Sequence, residues 1–303
     1  MARPFTDTGL DWNAEDRFSD SEREALLDWY REAHGTGDLS LVKFAPFLID
    51  FLPAEFKLSR RHLSSIPQPR DGVALPDIAL ILCYLHSYTA TAYTDGILYQ
   101  IISARHLGAS KALVMDVLRY AYLSAGPRGM NAVADRSEAY LRDWKDDDPP
   151  ARLIHWPPGW APDPGAFRSG IDLTTTELAA QEILAISRWH QRMHGVVPRH
   201  VELLARLHPE AYKLQRIRYE KSVGPVIPAQ LVPLLTLHLA AMRLQPIVMR
   251  QAVHQARVLG ARRHHVVQAL FGGLRQSIDP MVLEAAVDAV GQELSGWEED
   301  DAP

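Results

Sequence analysis

The chain has 303 residues, a formal net charge of −5, and 47% hydrophobic against 23% charged side chains. This is ordinary globular composition, with enough apolar material for two cores. There is no basic surplus to attract nucleic acid and no apolar run of the roughly 18 residues that a membrane span needs, so neither partner is expected. Cys83 is the sole cysteine, which leaves no intrachain disulfide and no Cys-x-x-Cys redox pair. Met1 to Leu10 carries no apolar core of signal-peptide length, and a cytoplasmic location is expected.

Helix signals begin at Ser19-Asp20-Ser21-Glu22-Arg23-Glu24, overlapping capping boxes ahead of Leu26, Leu27, Trp29 and Tyr30. His34-Gly35 ends that helix, and Pro53 suits the first turn of a later one. A long apolar helix is predicted from about Pro76 to Leu107, followed by a helix over Lys111–Ala125. A Gly126-Pro127 break leads into a further helix. Residues 146–173 are rich in proline and hold Trp156 and Trp160. They cannot be helical throughout, and the tryptophans predict packing across the surface joining the halves rather than a free linker.

The same succession then repeats. Thr174 to Glu177 reads as a capping box before Leu178, Ile183, Leu184 and Ile186, and His194-Gly195 reads as a helix end. Pro209 opens a helix, and a second long apolar helix is predicted over Pro228–Leu259. Arg262–Gln276, an Asp279-Pro280 break and a last helix follow, with 297–303 as an acidic disordered tail. Strand-like alternation is nearly absent, so the fold class is all-α.

Three blocks recur in order. Ala104-Arg105-His106-Leu107-Gly108-Ala109 returns as Ala256-Arg257-Val258-Leu259-Gly260-Ala261, 152 positions later. Pro53-Ala54-Glu55-Phe56-Lys57-Leu58-Ser59-Arg60 returns as Pro209-Glu210-Ala211-Tyr212-Lys213-Leu214-Gln215-Arg216, 156 later. Trp29 with His34-Gly35 returns as Trp189 with His194-Gly195, 160 later. A tandem duplicated helical unit follows, with repeats at 1–145 and 174–296 around the 146–173 segment.

The segment Ala104–Asp135 and the second-copy run His194-Gly195-Val196-Val197-Pro198, Leu203-Leu204-Ala205, His208-Pro209-Glu210 resemble the carboxymuconolactone decarboxylase and alkylhydroperoxidase D superfamily. The resemblance covers about 125 residues of each half and implies a duplicated bundle forming an intrachain pseudo-dimer, the building block of any homo-oligomer. It also implies a site on the long helix, at fixed distances before the glycine. The peroxidase branch has Glu-x-x-x-Cys-x-x-Cys-x-x-x-His there. Counting back from Gly108, this chain has Thr89, Tyr93, Gly96 and Gln100 instead; from Gly260 it has Ala241, Gln245, Val248 and Ala252. No catalytic residue of the family survives in either copy. A dithiol peroxidase needs two thiols, and Cys83 sits alone in an apolar Ile-Leu-Cys-Tyr setting that blunts its reactivity.

At helical spacing His86, Thr89, Tyr93, Gly96 and Gln100 form one stripe. The functional reading makes His86 a general acid or base and Tyr93 a proton donor or oxyanion stabiliser. Thr89 and Gln100 would hold the substrate, and Gly96 would leave it room. Asp95 lies off the stripe, in support, placed to receive a tyrosine hydroxyl or an arginine from the other half. The same stripe also reads as packed core whose polar tips reach backbone or water. The expectation is a cofactor-independent lyase or isomerase acting on a small organic acid, lactone or ring-cleavage-derived metabolite. Its rival is a non-catalytic binder or scaffold that kept the fold, and peroxidase activity comes third. No metal is expected: His190 and His194 have helical i, i+4 spacing but no accompanying glutamate. His264-His265 with Arg262-Arg263 reads as an exposed basic cluster, and Gly272-Gly273 is too isolated for a phosphate loop.

Overall fold

The computed structural model describes residues 9–64, 75–275 and 280–297. Among them the fold is all-α, with one isolated bridge, Pro162 to Pro228, and no strand. The helices are α1 (Asp20–His34), α2 (Phe44–Phe51), α3 (Pro53–Ser64), α4 (Asp77–Thr91), α5 (Thr94–His106), α6 (Lys111–Asp143) and α7 (Ala180–His194). They continue as α8 (Arg199–Leu207), α9 (Pro209–Ser222), α10 (Leu231–Met242), α11 (Pro246–Val258), α12 (Arg263–Leu274) and α13 (Pro280–Ser295). No described helix is long and apolar enough to cross a membrane. The Asp279 side of the predicted Asp279-Pro280 break, and the acidic tail beyond Trp297, lie outside the described residues.

Two compact units emerge. The first comprises the described residues up to Val114 together with Ala125–His155; the second comprises Met115–Ser124 and the described residues from Trp156 onward. The boundary thus cuts the expected 146–173 linker in two, because each part has its own partners. In the first unit Asp148 pairs with Arg105 at 2.8 Å, Asp146 pairs with Lys111 at 3.0 Å, and Arg152 bonds His106. In the second unit Trp156 stacks on Trp160, whose neighbour Ala161 accepts from the Ala229 amide. Trp189 donates its indole N–H to the Ala166 carbonyl, and Arg216 donates to that of Phe167. Each part of the segment is packed within its own unit. The 115–124 stretch of α6 is also held within the second unit: Asp116 accepts from the Val226 amide, and the Tyr120 and Thr236 hydroxyls lie 2.8 Å apart.

In the first unit α1 starts on Ser19 and Glu22, each side chain accepting from the other's backbone amide. Its buried face, Leu26, Trp29 and Tyr30, packs on Ile49 of α2, Phe56 of α3 and Tyr99 of α5. The core here is built around a buried charge. Lys57 of α3 is fully buried, with Nζ 2.8 Å from Glu22 Oε1, 2.9 Å from the Asp11 carbonyl and 2.7 Å from that of Ala14. All three ammonium protons are thereby satisfied. The second unit has the same arrangement: fully buried Lys213 of α9 pairs with Glu182 of α7 and reaches the Glu177 carbonyl. Glu182 takes the Asp172 and Ala179 amides as Glu22 takes those of Asp11 and Ser19. Helix α7 therefore begins at Ala180 with Glu182 as its cap, not at the Thr174–Glu177 box. The reason is that Glu182 also has to meet Lys213.

The long apolar helices predicted over 76–107 and 228–259 are each broken. Ala92 adopts φ 58° and Leu244 φ 50°, the left-handed region that non-glycine residues rarely occupy. At the first break the Ala92 amide bonds the Thr89 carbonyl and the Tyr93 amide that of Tyr88; at the second, Leu244 bonds Ala241 and Gln245 bonds Ala240. These paired reverse bonds satisfy carbonyls at the helix end and turn the chain. Pro246 at the start of α11 enforces the second break, since its ring cannot continue α10. At Gly126 the helix α6 also breaks (φ 57°, ψ −162°), as the Gly-Pro pair predicts, giving a first arm over 111–125 and a second over 127–143.

Burial works to raise the Glu22 carboxyl, but the Lys57 ammonium and the Ser19 and Asp11 amides outweigh it. Its pKa falls from 4.5 to about 2. A folded pKa below the unfolded value gives stability that is full above pH 4.5 and lost as pH falls toward 2. Lys57→Met, which strands Glu22 as a buried unpaired charge, is expected to lower stability by about 3–5 kcal/mol at pH 7 in urea denaturation. Adding Glu22→Gln should recover much of that loss and flatten the acid dependence between pH 4.5 and 2.

Candidate functional site

The break at Ala92 rearranges the expected single stripe. His86 and Thr89 lie on α4, Gly96 and Gln100 on α5, and Tyr93 sits at the N-cap of α5. Two packed helices joined by a two-residue turn are antiparallel neighbours. Thr89 and Gly96 are therefore equally far from the turn, and His86 and Gln100 about two turns down on either side. His86, Thr89 and Gln100 are buried, whereas Tyr93 is only partly so.

The space above Gly96 is not open. A Cβ there would overlap the Tyr93 ring and stand 2.8 Å from Tyr88. The two tyrosine rings meet edge to face, 5.1 Å between centroids. The room expected for a substrate at Gly96 is taken by the protein's own Tyr93. Burial, and next the nearby Asp95 charge, push the Tyr93 phenol above its ordinary value of 10, so its hydroxyl stays a proton donor.

Asp95 is a buried carboxylate held by two cations, Lys43 at 2.7 Å and Arg136 at 3.0 Å. The arginine comes from the second arm of α6 within the first unit, not from the other half. Arg136 also lines an exposed depression of about 320 Å³ with Ala134, Ala139 and Arg142. Sequence reasoning missed Lys43 and Arg136, because each lies far along the chain from Asp95 and no motif links them. It missed Ser137 as well, a fully buried hydroxyl on α6.

The equivalent positions of the second unit are apolar or exposed. Ala241 and Ala252 are buried core, and Gln245 is at the surface. His238 is buried 152 positions after His86. The polar concentration of this unit lies instead on α7. His190 and His194 face each other with Nδ1 atoms 3.0 Å apart, Trp189 packs edge-on to both rings, and Arg216 lies over the Trp189 face. Burial, then the charges of neighbours including Arg216, lowers His190 to about 3 and His194 to about 4. Two neutral imidazoles, one donating to the other, follow. Among the described residues no group of three His, Cys, Asp or Glu side chains is placed to hold a metal ion. His265 is buried against Trp160 rather than exposed. Cys83 is fully buried, and burial pushes its thiol up. Compared with known proteins, the chain matches no family model, no curated protein and no solved structure.

Two expectations follow. Gly96→Ala should lower stability by about 1–3 kcal/mol through overpacking against Tyr93, and Tyr93→Ala should relieve most of it; calorimetry of the single and double variants reads both. The α7 histidines stay neutral when folded but protonate when unfolded below pH 6.5. Their contribution should be intact above that pH and fall away toward pH 3, by at most about 1.4 kcal/mol per pH unit for each proton. His190→Asn should remove part of that slope in pH-dependent urea titrations.

Proposed function

We propose that the chain is a cofactor-independent enzyme of the carboxymuconolactone decarboxylase-like type, with one site, in the first unit, for a small organic acid, lactone or ring-cleavage-derived metabolite. The observation that carries this reading is that His86 and Thr89 on α4, and Tyr93, Asp95 and Gln100 at the start of or within α5, flank the left-handed Ala92 turn. Tyr93, protonated beside Asp95, delivers a proton or steadies a developing oxyanion. His86 is the acid–base partner from α4. Thr89 and Gln100 orient the substrate by hydrogen bonds, since neither side chain can shuttle a proton at neutral pH. The reaction is proton transfer coupled to decarboxylation, isomerisation or lactone opening. A buried, raised thiol at Cys83 makes peroxidase chemistry the weakest reading.

A tandem duplication and an intrachain pseudo-dimer belong to the same proposal, with the second unit as scaffold and the protein in the cytoplasm. The recurrence of the Lys57–Glu22 pair as Lys213–Glu182 and of the Ala92 turn as Leu244 supports the duplication. One observation favours the rival reading, a non-catalytic binder or scaffold: the Tyr93 ring fills the space at Gly96.

A thermal-shift screen against lactones, β-keto acids, muconates and aromatic acids would supply a substrate to assay. With it, Tyr93→Phe is expected to cut turnover by at least about 100-fold while changing Tm by less than about 2 °C. Unchanged turnover together with a Tm loss of several degrees would make Tyr93 a core residue and favour the scaffold.

A further inference from the structure

Helix α2 is apolar on both faces. Its sequence, Phe-Ala-Pro-Phe-Leu-Ile-Asp-Phe, has Asp50 as its one polar residue. Ala45 and Ile49 on the inner face are buried in the first-unit core. The outer face carries Phe44, Phe47 and Phe51 at helical spacing, 42%, 54% and 70% exposed, and the rings of Phe47 and Phe51 lie 5.1 Å apart. A helix without a polar face belongs in an interior, so this outer stripe calls for a cover.

The second unit presents the same outline on α8. At an offset of 156, buried Ala45 answers to buried Val201, while exposed Phe47, Phe51 and Leu58 answer to exposed Leu203, Leu207 and Leu214. Leu203 and Leu207 are one turn apart on the outer side of α8, whose inner side (Val201, Leu204) packs in the second-unit core. Single exposed hydrophobes are ordinary, but the same positions kept apolar and exposed in both units are not.

One position within the stripe differs, and the difference says what covers it. Asp50 lies between Phe47 and Phe51; its counterpart between Leu203 and Leu207 is Arg206. Asp50 is paired through Oδ1 with Arg23 at 2.8 Å, yet its side chain is still 49% exposed. Arg206 is exposed and forms no ion pair among the described residues. Two α2 stripes laid together would bring aspartate against aspartate, and two α8 stripes arginine against arginine. An α2 stripe on an α8 stripe sets phenylalanine against leucine and Asp50 against Arg206.

The chain thus carries both halves of one complementary contact, and the partner that fits is a second copy. A lipid surface fits less well. Interfacial helices hold to it with Lys and Arg beside the apolar face, whereas α2 offers an aspartate on a chain of net charge −5. At roughly 200 Å² for a whole phenylalanine, the three α2 rings expose on the order of 300 Å². A stable interface takes about 800 Å² from each partner, so one such contact is small. A two-fold pair makes the contact twice and leaves neither stripe open.

We propose that the chain associates with a second copy as a two-fold pair, α2 of each copy docked on α8 of the other. Phe47 and Phe51 pack against Leu203 and Leu207, and Asp50 meets Arg206. The inference is independent of the catalytic reading.

Sedimentation equilibrium of the full chain tests it, with a mass of two chains expected in the micromolar range. Phe51→Glu and Leu207→Glu, both at exposed positions, should each weaken association at least tenfold while far-UV circular dichroism of the monomer stays unchanged. Asp50→Arg and Arg206→Asp should each weaken it too, and the double charge swap should return it to within about threefold of the unaltered chain. Asp50→Arg also removes the pair with Arg23, which the double variant still lacks, so its recovery reports the contact between copies alone. A chain monomeric at 100 µM (on the order of a weak dimer's dissociation constant), a dimer indifferent to Phe51→Glu, or a charge swap no stronger than its single variants would each overturn the proposal. Binding of the monomeric chain to phosphatidylcholine vesicles, lost on Phe51→Glu, would hand the stripe to lipid and overturn it as well.

Discussion

Each unit is organised around a lysine ammonium buried where water cannot reach it. An unpaired ammonium in such surroundings would neutralise or unfold the protein, so its acceptors have to be assembled around it. Lys57 draws in Glu22 and the carbonyls of Asp11 and Ala14; Lys213 draws in Glu182 and the carbonyl of Glu177. The carboxylates double as helix caps, so one interaction fixes where α1 or α7 starts, how it meets α3 or α9, and where the preceding segment runs. Hydrophobic replacement of such a pair is often as stable. The geometric role, in which one charge specifies three chain segments at once, is a reason to keep it.

The proposed site depends on this frame at one remove. Tyr99 of α5 packs into the cluster that α1 and α3 build with Leu26, Trp29, Tyr30 and Phe56, so the clamp sets where α5 lies. Around α5 the left-handed Ala92 turn brings α4 back alongside, and the Asp95–Arg136 pair with the close approach at Gly129 seats α6. An unstrained single helix would have left Thr89 and Gln100 more than a dozen ångströms apart (about 1.5 Å for each residue between them). The strained turn folds them toward one region. Backbone strain of this kind persists only where surrounding structure over-determines it, and such places are often functional.

Much of this was legible in the sequence. Periodicity and caps gave the all-α class, and the Gly126-Pro127 pair marked the break in α6. The matched blocks at Lys57 and Lys213 stood out as a repeat, although nothing in one dimension says that both cations are buried. The Ala92 break was hidden because Thr-Ala-Thr-Ala-Tyr contains no glycine or proline. Pro246 was visible, and the 152-residue offset would have carried its signal back to this turn. The same logic applies to the cap of α7: an offset of 160 from Glu22 lands on Glu182, while local pattern alone favoured Thr174. Lys43 and Arg136 could not have been found, since their role comes from ion pairs with Asp95 across distant segments.

The buried clamps are the account's central claim, and lysine-selective nitrogen NMR of the side-chain ammonium groups tests them most directly. At neutral pH the account predicts two ammonium signals protected from solvent exchange, one lost on Lys57→Met and the other on Lys213→Met. Rapid exchange of every lysine with water would place both ammonium groups at the surface and contradict the structure at its foundation.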